Sequence, residues 1–135
     1  MFRWAIEGAL AGGPRPRVPN KPLSQVSRSI VDEWIKKAKG NGIRSVICLL
    51  GEAQLRLYDN LPQDLVSYYQ ASGLRTEHIP VRNCQHPALS ASQLKKVWKA
   101  YQRLEKPVLI HCSAGIGRTG KALSYIKRRE EKQVP

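Results

Sequence analysis

One segment of ten residues, HCSAGIGRTG at positions 111–120, constrains the fold and the chemistry of this chain more than any other. It follows a short apolar run at residues 108–110 and precedes a helix-compatible run at residues 121–130. A strand, a glycine-containing turn and a helix in that order suit an anion site, because the N–H groups of the turn can point inward and the helix N-terminus adds a positive dipole. The segment therefore predicts a phosphate-binding loop.

Three side chains of this segment carry candidate chemistry. Cys112 leaves the strand beside the inward N–H groups, which favour its thiolate and hence its nucleophilicity near neutral pH. Arg118, six positions further on, can reach back and donate two hydrogen bonds to phosphate oxygens. Thr119 can hydrogen-bond the sulfur and stabilise it as a leaving group. The alternative interpretation is a buried structural cysteine beside an ordinary glycine turn.

The same segment resembles the signature loop of the cysteine-dependent protein tyrosine and dual-specificity phosphatases, His-Cys-x5-Arg-Ser/Thr, and it matches every defining position. The resemblance implies that Cys112 is the nucleophile, that His111 supports the thiolate and the loop geometry, and that Thr119 assists departure of the sulfur. It implies a phosphate site that needs no metal and no cofactor. The implied phosphate-binding residues are Ser113, Ala114, Gly115, Ile116, Gly117 and Arg118.

Strand-like and helix-like segments alternate through the chain. Apolar residues recur with helical spacing over residues 26–38, 60–72 and 90–104, while residues 2–6, 9–12, 43–50, 74–81 and 107–110 favour strands. Residues 90–93 also fit a capping box. This order predicts an α/β fold, a single domain with a mostly parallel central sheet and helices on both faces. Ligand sites in such folds lie beyond the carboxyl ends of the strands, where Cys112 falls.

The predicted domain spans residues 1–135, as one minimal domain similar to the dual-specificity phosphatases. Members of that family usually continue through further helices, so both a minimal fold and a truncated C-terminus remain open. The opening residues, with Trp4 and a glycine-rich run at 9–13, resemble the start of the small prokaryotic-type enzymes. That resemblance places Arg15 and Arg17 at the rim of the substrate site, and the alternative is a merely exposed proline-rich loop.

The general acid is the uncertain part of the chemistry. In the family an aspartate on a separate loop protonates the leaving oxygen, and that loop corresponds here to residues 82–89. Residues 78–104 contain neither Asp nor Glu, and Asn83 stands where the aspartate is expected. An amide cannot donate a proton to an alkoxide, and loss of a general acid costs a factor of about 10² to 10⁴.

Three interpretations follow from this loop. His86 can substitute, because imidazole titrates in the right range. Alternatively, the leaving group needs little protonation, as with an aryl phosphate or the pyrophosphate of an RNA 5′-triphosphate. In the third interpretation the chain is a catalytically weak phosphate binder, a pseudophosphatase.

Basic residues outnumber acidic ones, with 23 Lys and Arg against 10 Asp and Glu and a net charge of +13. Such a surface attracts phosphoproteins, nucleic acid or anionic lipid, although solubility alone would also explain residues spread so evenly along the chain. We expect a monomer that acts on phosphotyrosine, phosphoserine or phosphothreonine in proteins or peptides. RNA is the alternative partner, and no membrane partner is expected.

The three cysteines contain no CxxC or CxxH pair, which argues against both a disulfide framework and a metal site. A catalytic Cys112 needs a reducing compartment, and the sequence has no signal peptide or membrane-length apolar run, so we expect a cytoplasmic protein. Cys48 is expected in the core. A redox disulfide between Cys112 and either Cys48 or Cys84 stays open.

Overall fold

A computed structural model describes residues 2–18, 20–21 and 24–132 of the chain. It contains five strands and five helices in the described residues, with a 3-10 turn at Arg56–Tyr58 after the second helix. The strands are β1 (Arg3–Ile6), β2 (Leu10–Pro14), β3 (Ser45–Cys48), β4 (Arg75–His78) and β5 (Val108–Cys112). The helices are α1 (Arg28–Gly40), α2 (Glu52–Leu55), α3 (Leu65–Ala71), α4 (Ala91–Arg103) and α5 (Gly117–Lys132).

The strands form one sheet in the order β1-β2-β5-β3-β4. β2, β5, β3 and β4 are parallel, and β1 is an antiparallel edge strand paired with β2. β5 is buried along its whole length because it is central and covered on both faces. The mostly parallel α/β sheet predicted from the alternation of elements is therefore confirmed.

Each face of the sheet has its own hydrophobic core. Successive residues of a strand point to opposite faces, so in β3 Ile47 joins the core beneath α4 and α5. Val46 and Cys48 join the other core, against α1 and α3. The central strands carry apolar residues on both faces of the sheet, so helices cover both faces, as predicted.

Local hydrogen bonds set two of the helix starts. Ser90 and Gln93 form the predicted capping box at α4: Ser90 Oγ accepts from the Gln93 N–H at 3.1 Å, and Gln93 Oε1 accepts from the Ser90 N–H at 2.9 Å. The predicted helix at 60–72 begins later than expected, at Leu65, because Asp64 caps it by accepting from the Ser67 N–H at 2.9 Å.

The last helix begins earlier than the sequence indicated. Residues 121–130 were predicted as helix, whereas α5 begins at Gly117 and runs to Lys132. Arg118 and Thr119 therefore belong to its first turn, so the signature loop passes directly into the helix. In the described part of the chain, no helix combines the length and apolar character needed to cross a membrane.

Candidate active site

The signature loop turns tightly over the end of β2, and two glycines make this possible. Gly115 has φ +78°, and a Cβ there would lie 2.4 Å from the carbonyl carbon of Gly13, so only glycine fits. Gly12 is also closely packed, on the other side, since a Cβ would lie 2.7 Å from the Thr119 methyl and 2.7 Å from Leu123. The sequence placed Gly12 at the end of a predicted strand and Gly13 in the irregular proline-rich segment, whereas both belong to β2. Their contacts allow the loop and α5 to pack against β2.

Cys112 is the last residue of β5 and is buried beneath the loop. Burial by itself raises the pKa of its thiol. Hydrogen bonds from the Thr119 hydroxyl and N–H and from the Gly115 N–H, together with the Arg118 charge, outweigh burial and bring the pKa below its ordinary value. The Thr119 hydroxyl is buried and has no hydrogen-bond partner among the described residues, so it is available to the Cys112 sulfur. The geometry therefore favours a nucleophilic sulfur.

His111 lies in the opposite core and stays neutral. Burial, opposed by a hydrogen bond to the Cys112 carbonyl, lowers its pKa to about 4. Its Nδ1 lies 3.2 Å from that carbonyl oxygen, which can only accept, so Nδ1 carries the proton. Nε2 is then the acceptor for the Tyr69 hydroxyl at 3.0 Å. Trp34 packs against both rings, which fixes the imidazole behind the loop.

Arg118 lies half-buried in the first turn of α5. Its Nη1 donates to the Val81 carbonyl at 3.2 Å and to Gln54 Oε1 at 3.3 Å. Both acceptors are neutral, and no ion pair to Arg118 occurs among the residues that the structure describes. Its charge therefore remains available to an anion in the loop.

Arg15 and Arg17, both expected at the rim of the substrate site, lie in different surroundings. Arg15 is buried, which contradicts the alternative of a merely exposed loop: it is 1% exposed, and its Nη1 donates to the Tyr58 hydroxyl at 3.0 Å. Long-range packing of the 3-10 turn over residue 15 buries it, which local polarity could not indicate. Arg17 is half-buried and lines a separate groove of about 480 Å³ with Trp34 and Lys37.

The loop expected to carry the general acid borders a groove of about 490 Å³ beside Arg118. Asn83 lines this groove together with Gln54, the residue that contacts Arg118. His86 is exposed and is not among the lining residues, so the structure does not bring it into this groove. The carboxylate that lines the groove belongs to Glu52 of α2, on the side opposite the loop. Glu52 lies outside residues 78–104, the segment in which the acid was expected.

Side-chain amides hold this loop against α4. Gln93 and Gln85 exchange amide hydrogen bonds at 2.7 and 3.3 Å, and the Gln93 amide also donates to the Pro80 carbonyl at 3.1 Å. Among the described residues, no group of three or more His, Cys, Asp or Glu side chains is placed to hold a metal ion.

All three cysteines are free thiols. Cys48 belongs to the core beneath α1, whereas Cys112 belongs to the core beneath α4 and α5 on the opposite face of the sheet. Burial raises the pKa of Cys48 to about 12, so its thiol is inert at neutral pH. Cys84 is exposed on the loop that lines the groove. A disulfide from Cys48 to Cys112 therefore requires rearrangement of the sheet.

Solved phosphatase structures share this architecture. A candidate phosphatase of the DUF442 type from Shewanella putrefaciens CN-32 superposes with a TM-score of 0.65 at 16% identity, over 99% of this chain and 74% of that one. The core catalytic domain of the PP-IP phosphatase SIW14 from S. cerevisiae gives 0.64 at 17% identity, over 96% and 66%. Cydia pomonella PTP-2 phosphatase gives 0.59 at 18% identity, over 97% and 71%. At these identities the likeness shows the fold.

The family follows from the sequence comparison. A comparison with curated proteins finds no significant match. The model of the Tc-R-P family, described as "Polymorphic toxin system, DSP-PTPase phosphatase", matches residues 23–130, which include the whole signature loop. The predicted resemblance to the dual-specificity phosphatases is thereby confirmed, and the chain belongs to the Tc-R-P family of DSP-PTPase phosphatases of polymorphic toxin systems.

Proposed function

We propose that this phosphatase hydrolyses phosphate monoesters of proteins, on tyrosine, serine or threonine, through a phosphocysteine intermediate. One observation carries the proposal: a cysteine of lowered pKa lies under a loop whose arginine has no carboxylate partner in the described chain. A thiolate and an available guanidinium at one anion site suit nucleophilic attack on a phosphate.

In the proposed mechanism the Cys112 thiolate attacks phosphorus, the S–P bond forms and the bond from phosphorus to the leaving oxygen breaks. The Arg118 guanidinium and the loop N–H groups at 113–118 stabilise the equatorial oxygens in the transition state. Water then attacks the phosphocysteine, the S–P bond breaks and Thr119 stabilises the departing thiolate. Inorganic phosphate and the free hydroxyl are the products.

The leaving oxygen needs a proton, and this requirement shapes the expected substrate preference. Glu52 lines the groove and His86 lies on the loop, whereas Asn83 cannot donate a proton. A phenol is a far better leaving group than an alcohol. We therefore expect faster turnover of phosphotyrosine peptides than of phosphoserine or phosphothreonine peptides.

The test is steady-state hydrolysis of a small aryl phosphate across pH. Cys112→Ser is expected to abolish activity, and Asn83→Asp to raise it by about tenfold or more, because it restores a carboxyl group. If the basic limb of the pH–activity profile is lost in Glu52→Gln or in His86→Ala, the residue replaced in that variant is the general acid. Wild type as inactive as Cys112→Ser would refute the catalytic proposal and leave a phosphate-binding pseudophosphatase.

The family description places phosphatases of this type in polymorphic toxin systems. We infer that this chain acts as an effector whose toxicity depends on phosphate hydrolysis. Expression in a bacterial host should arrest growth, and Cys112→Ser at the same expression level should not. Equal arrest by both variants would separate toxicity from catalysis.

A second candidate function is RNA 5′-triphosphatase activity, and one surface favours it. The exposed side of α4 carries Lys95, Lys96 and Lys99, which form no ion pair within the described chain, and this helix begins at the groove beside Arg118. Three such cations suit a phosphate backbone, and a pyrophosphate leaving group needs little protonation. Faster γ-phosphate release from triphosphate-ended RNA than phosphate release from phosphotyrosine peptide would decide for it.

A matched pair of variants tests whether these lysines bind RNA. Replacement of all three by Glu should weaken RNA binding strongly and flatten its salt dependence by about two units of slope. The same change at Lys36, Lys37 and Lys39 of α1, on the other face of the sheet, is the control. Equal effects of the two triple variants would indicate only general attraction by net charge.

A further inference from the structure

An arginine from the edge strand contacts the outer side of the signature loop. Arg3 of β1 donates from Nη1 to the Gly115 carbonyl at 2.7 Å, across 112 residues of sequence. A trans peptide is planar, so a carbonyl and the next N–H point in opposite directions. The Gly115 carbonyl drawn outward by Arg3 therefore directs the Ile116 N–H toward the loop interior. The Ile116 side chain is 72% exposed, so its packing does not orient this peptide.

A second arginine holds the beginning of the loop in the same way. The Arg15 backbone N–H donates to the Ser113 carbonyl at 3.2 Å, and its Nε donates to Ser113 Oγ at 3.4 Å. Because the Ser113 carbonyl points outward to Arg15, the Ala114 N–H points inward. Both the backbone carbonyl and the side-chain hydroxyl of Ser113 therefore accept hydrogen bonds from Arg15.

The burial of Arg15 indicates that its position is restrained. At 1% exposure it is the largest of the fully buried side chains in the described chain, and a guanidinium keeps its charge when buried. Such burial is costly unless the donors are satisfied. Here Nη1 donates to the Tyr58 hydroxyl at 3.0 Å and to the Pro16 carbonyl at 3.4 Å, and the Tyr58 hydroxyl donates to that same carbonyl.

We propose that Arg3 and Arg15 are positioning residues of the phosphate site: from outside the signature motif, they hold its carbonyls outward so that its N–H groups face the bound phosphate. The proposal deepens the proposed function and rests on its phosphate-binding part. Neither arginine is expected to touch the substrate. Their effect passes through Gly115 and Ser113.

The groups around Cys112 determine the pH at which its thiolate forms, which is a second property that a variant can change. Arg118 and the Thr119 hydroxyl face Cys112 from α5, and Arg15 lies across from it after β2. His111 on β5 and Cys48 on β3 lie near it and are both neutral at pH 7. If a variant lets the N–H groups of the loop turn away from the site, the pH at which the Cys112 thiolate forms is expected to rise, since the Gly115 N–H stabilises that thiolate.

The experiment measures alkylation of Cys112 by iodoacetamide, followed by mass spectrometry of the peptide that contains it. Inorganic phosphate protects the thiol when it occupies the loop, which gives a dissociation constant without any turnover. Variants Arg3→Met and Arg15→Met are compared with wild type. Arg17→Met is the matched control, because it removes one charge from the same proline-rich segment, and no hydrogen bond from Arg17 to the loop occurs in the described structure.

We expect the phosphate dissociation constant to rise about tenfold in Arg3→Met and in Arg15→Met, since misdirected donors no longer meet the anion. The pH midpoint of alkylation should rise as well, and Arg3→Lys should recover most of both losses because its ammonium can still donate. Arg17→Met should leave both quantities unchanged. Arg3 lies exposed on an edge strand, so its variants test the proposal even where Arg15→Met fails to fold.

A purely structural role would lower the urea midpoint and leave the phosphate affinity and the alkylation midpoint of the folded protein unchanged. That result, or equal dissociation constants for Arg3→Met and Arg17→Met, would overturn the proposal. Failure of phosphate to protect wild-type Cys112 would instead refute the phosphate-binding function on which the proposal rests, so the two failures remain distinct.

Discussion

Because the His111 imidazole is buried and neutral, the folded chain should lose stability as the pH falls from 6.5 to 4. Burial lowers its pKa from 6.5 to about 4 in the folded state. Between these values the unfolded chain binds the proton and the folded chain does not, so stability falls as the pH falls. A difference of 2.5 units corresponds to about 3 kcal/mol at the acid end, with about 2 kcal/mol already lost at pH 5.

Urea unfolding at pH 7, 6, 5 and 4 measures this loss, and the variant His111→Asn isolates it. Its amide can still donate to the Cys112 carbonyl, but it does not titrate. Protonation of the Asp64 and Glu105 carboxyls also lowers the free energy of unfolding in acid, because hydrogen bonds from the Ser67 N–H and from Arg44 lower their pKa values in the folded chain. They act below about pH 4.5 and cancel in the difference between wild type and variant.

A second histidine provides the matched control. His78 of β4 is half-buried, and its Nε2 donates to the Leu50 carbonyl at 2.7 Å, a bond that Gln can reproduce. The free energy of unfolding of His78→Gln should decrease between pH 7 and 5 as much as that of wild type. That of His111→Asn should decrease much less. Equal slopes for wild type and His111→Asn would refute the assignment of a neutral, buried imidazole behind the loop.

Two further predictions concern the loop and the thiols. In urea titrations, Gly115→Ala should destabilise the chain by about 1–3 kcal/mol from backbone strain alone, and further through its contact with Gly13. Gly117→Ala, with no atom within 4 Å of its Cβ, should leave the stability unchanged or raised, and similar losses in both variants would contradict the packing argument. In thiol titration with Ellman's reagent, Cys84 should react at once in the native protein and Cys48 only on unfolding, and peroxide treatment should form no disulfide between Cys48 and Cys112. If Cys48 in the native protein reacted nearly as fast as Cys84, its burial would be disproved.

Local chemistry explains which features the sequence could predict. The signature loop is a strand, a turn and a helix start within ten residues, so neighbours in the chain are enough to indicate it. The capping box of Ser90 and Gln93 and the apolar spacing of α1 and α4 are equally local, and these predictions were confirmed. The late start of α3 was also a local signal, the Asp64 cap, and the sequence analysis missed it.

Features that join distant parts of the chain were not predictable from the sequence. Arg15 is buried, and not part of a merely exposed loop, because Tyr58, 43 residues away, packs over it. Glu52 and Gln54 reach the groove only because β3 lies beside β5 and carries α2 to the same edge of the sheet. No spacing in the sequence relates these residues to residues 82–89.

The sequence by itself determined the signature loop with Cys112 and Arg118, and the α/β class, because each depends on residues close together in the chain. Tertiary structure decided what surrounds the loop: the order of the strands, the seat of Gly115 on Gly13 and the contact of Arg3 with the loop. These depend on which strands become neighbours. That choice is made by burial of both faces of the sheet, which is a property of the whole chain.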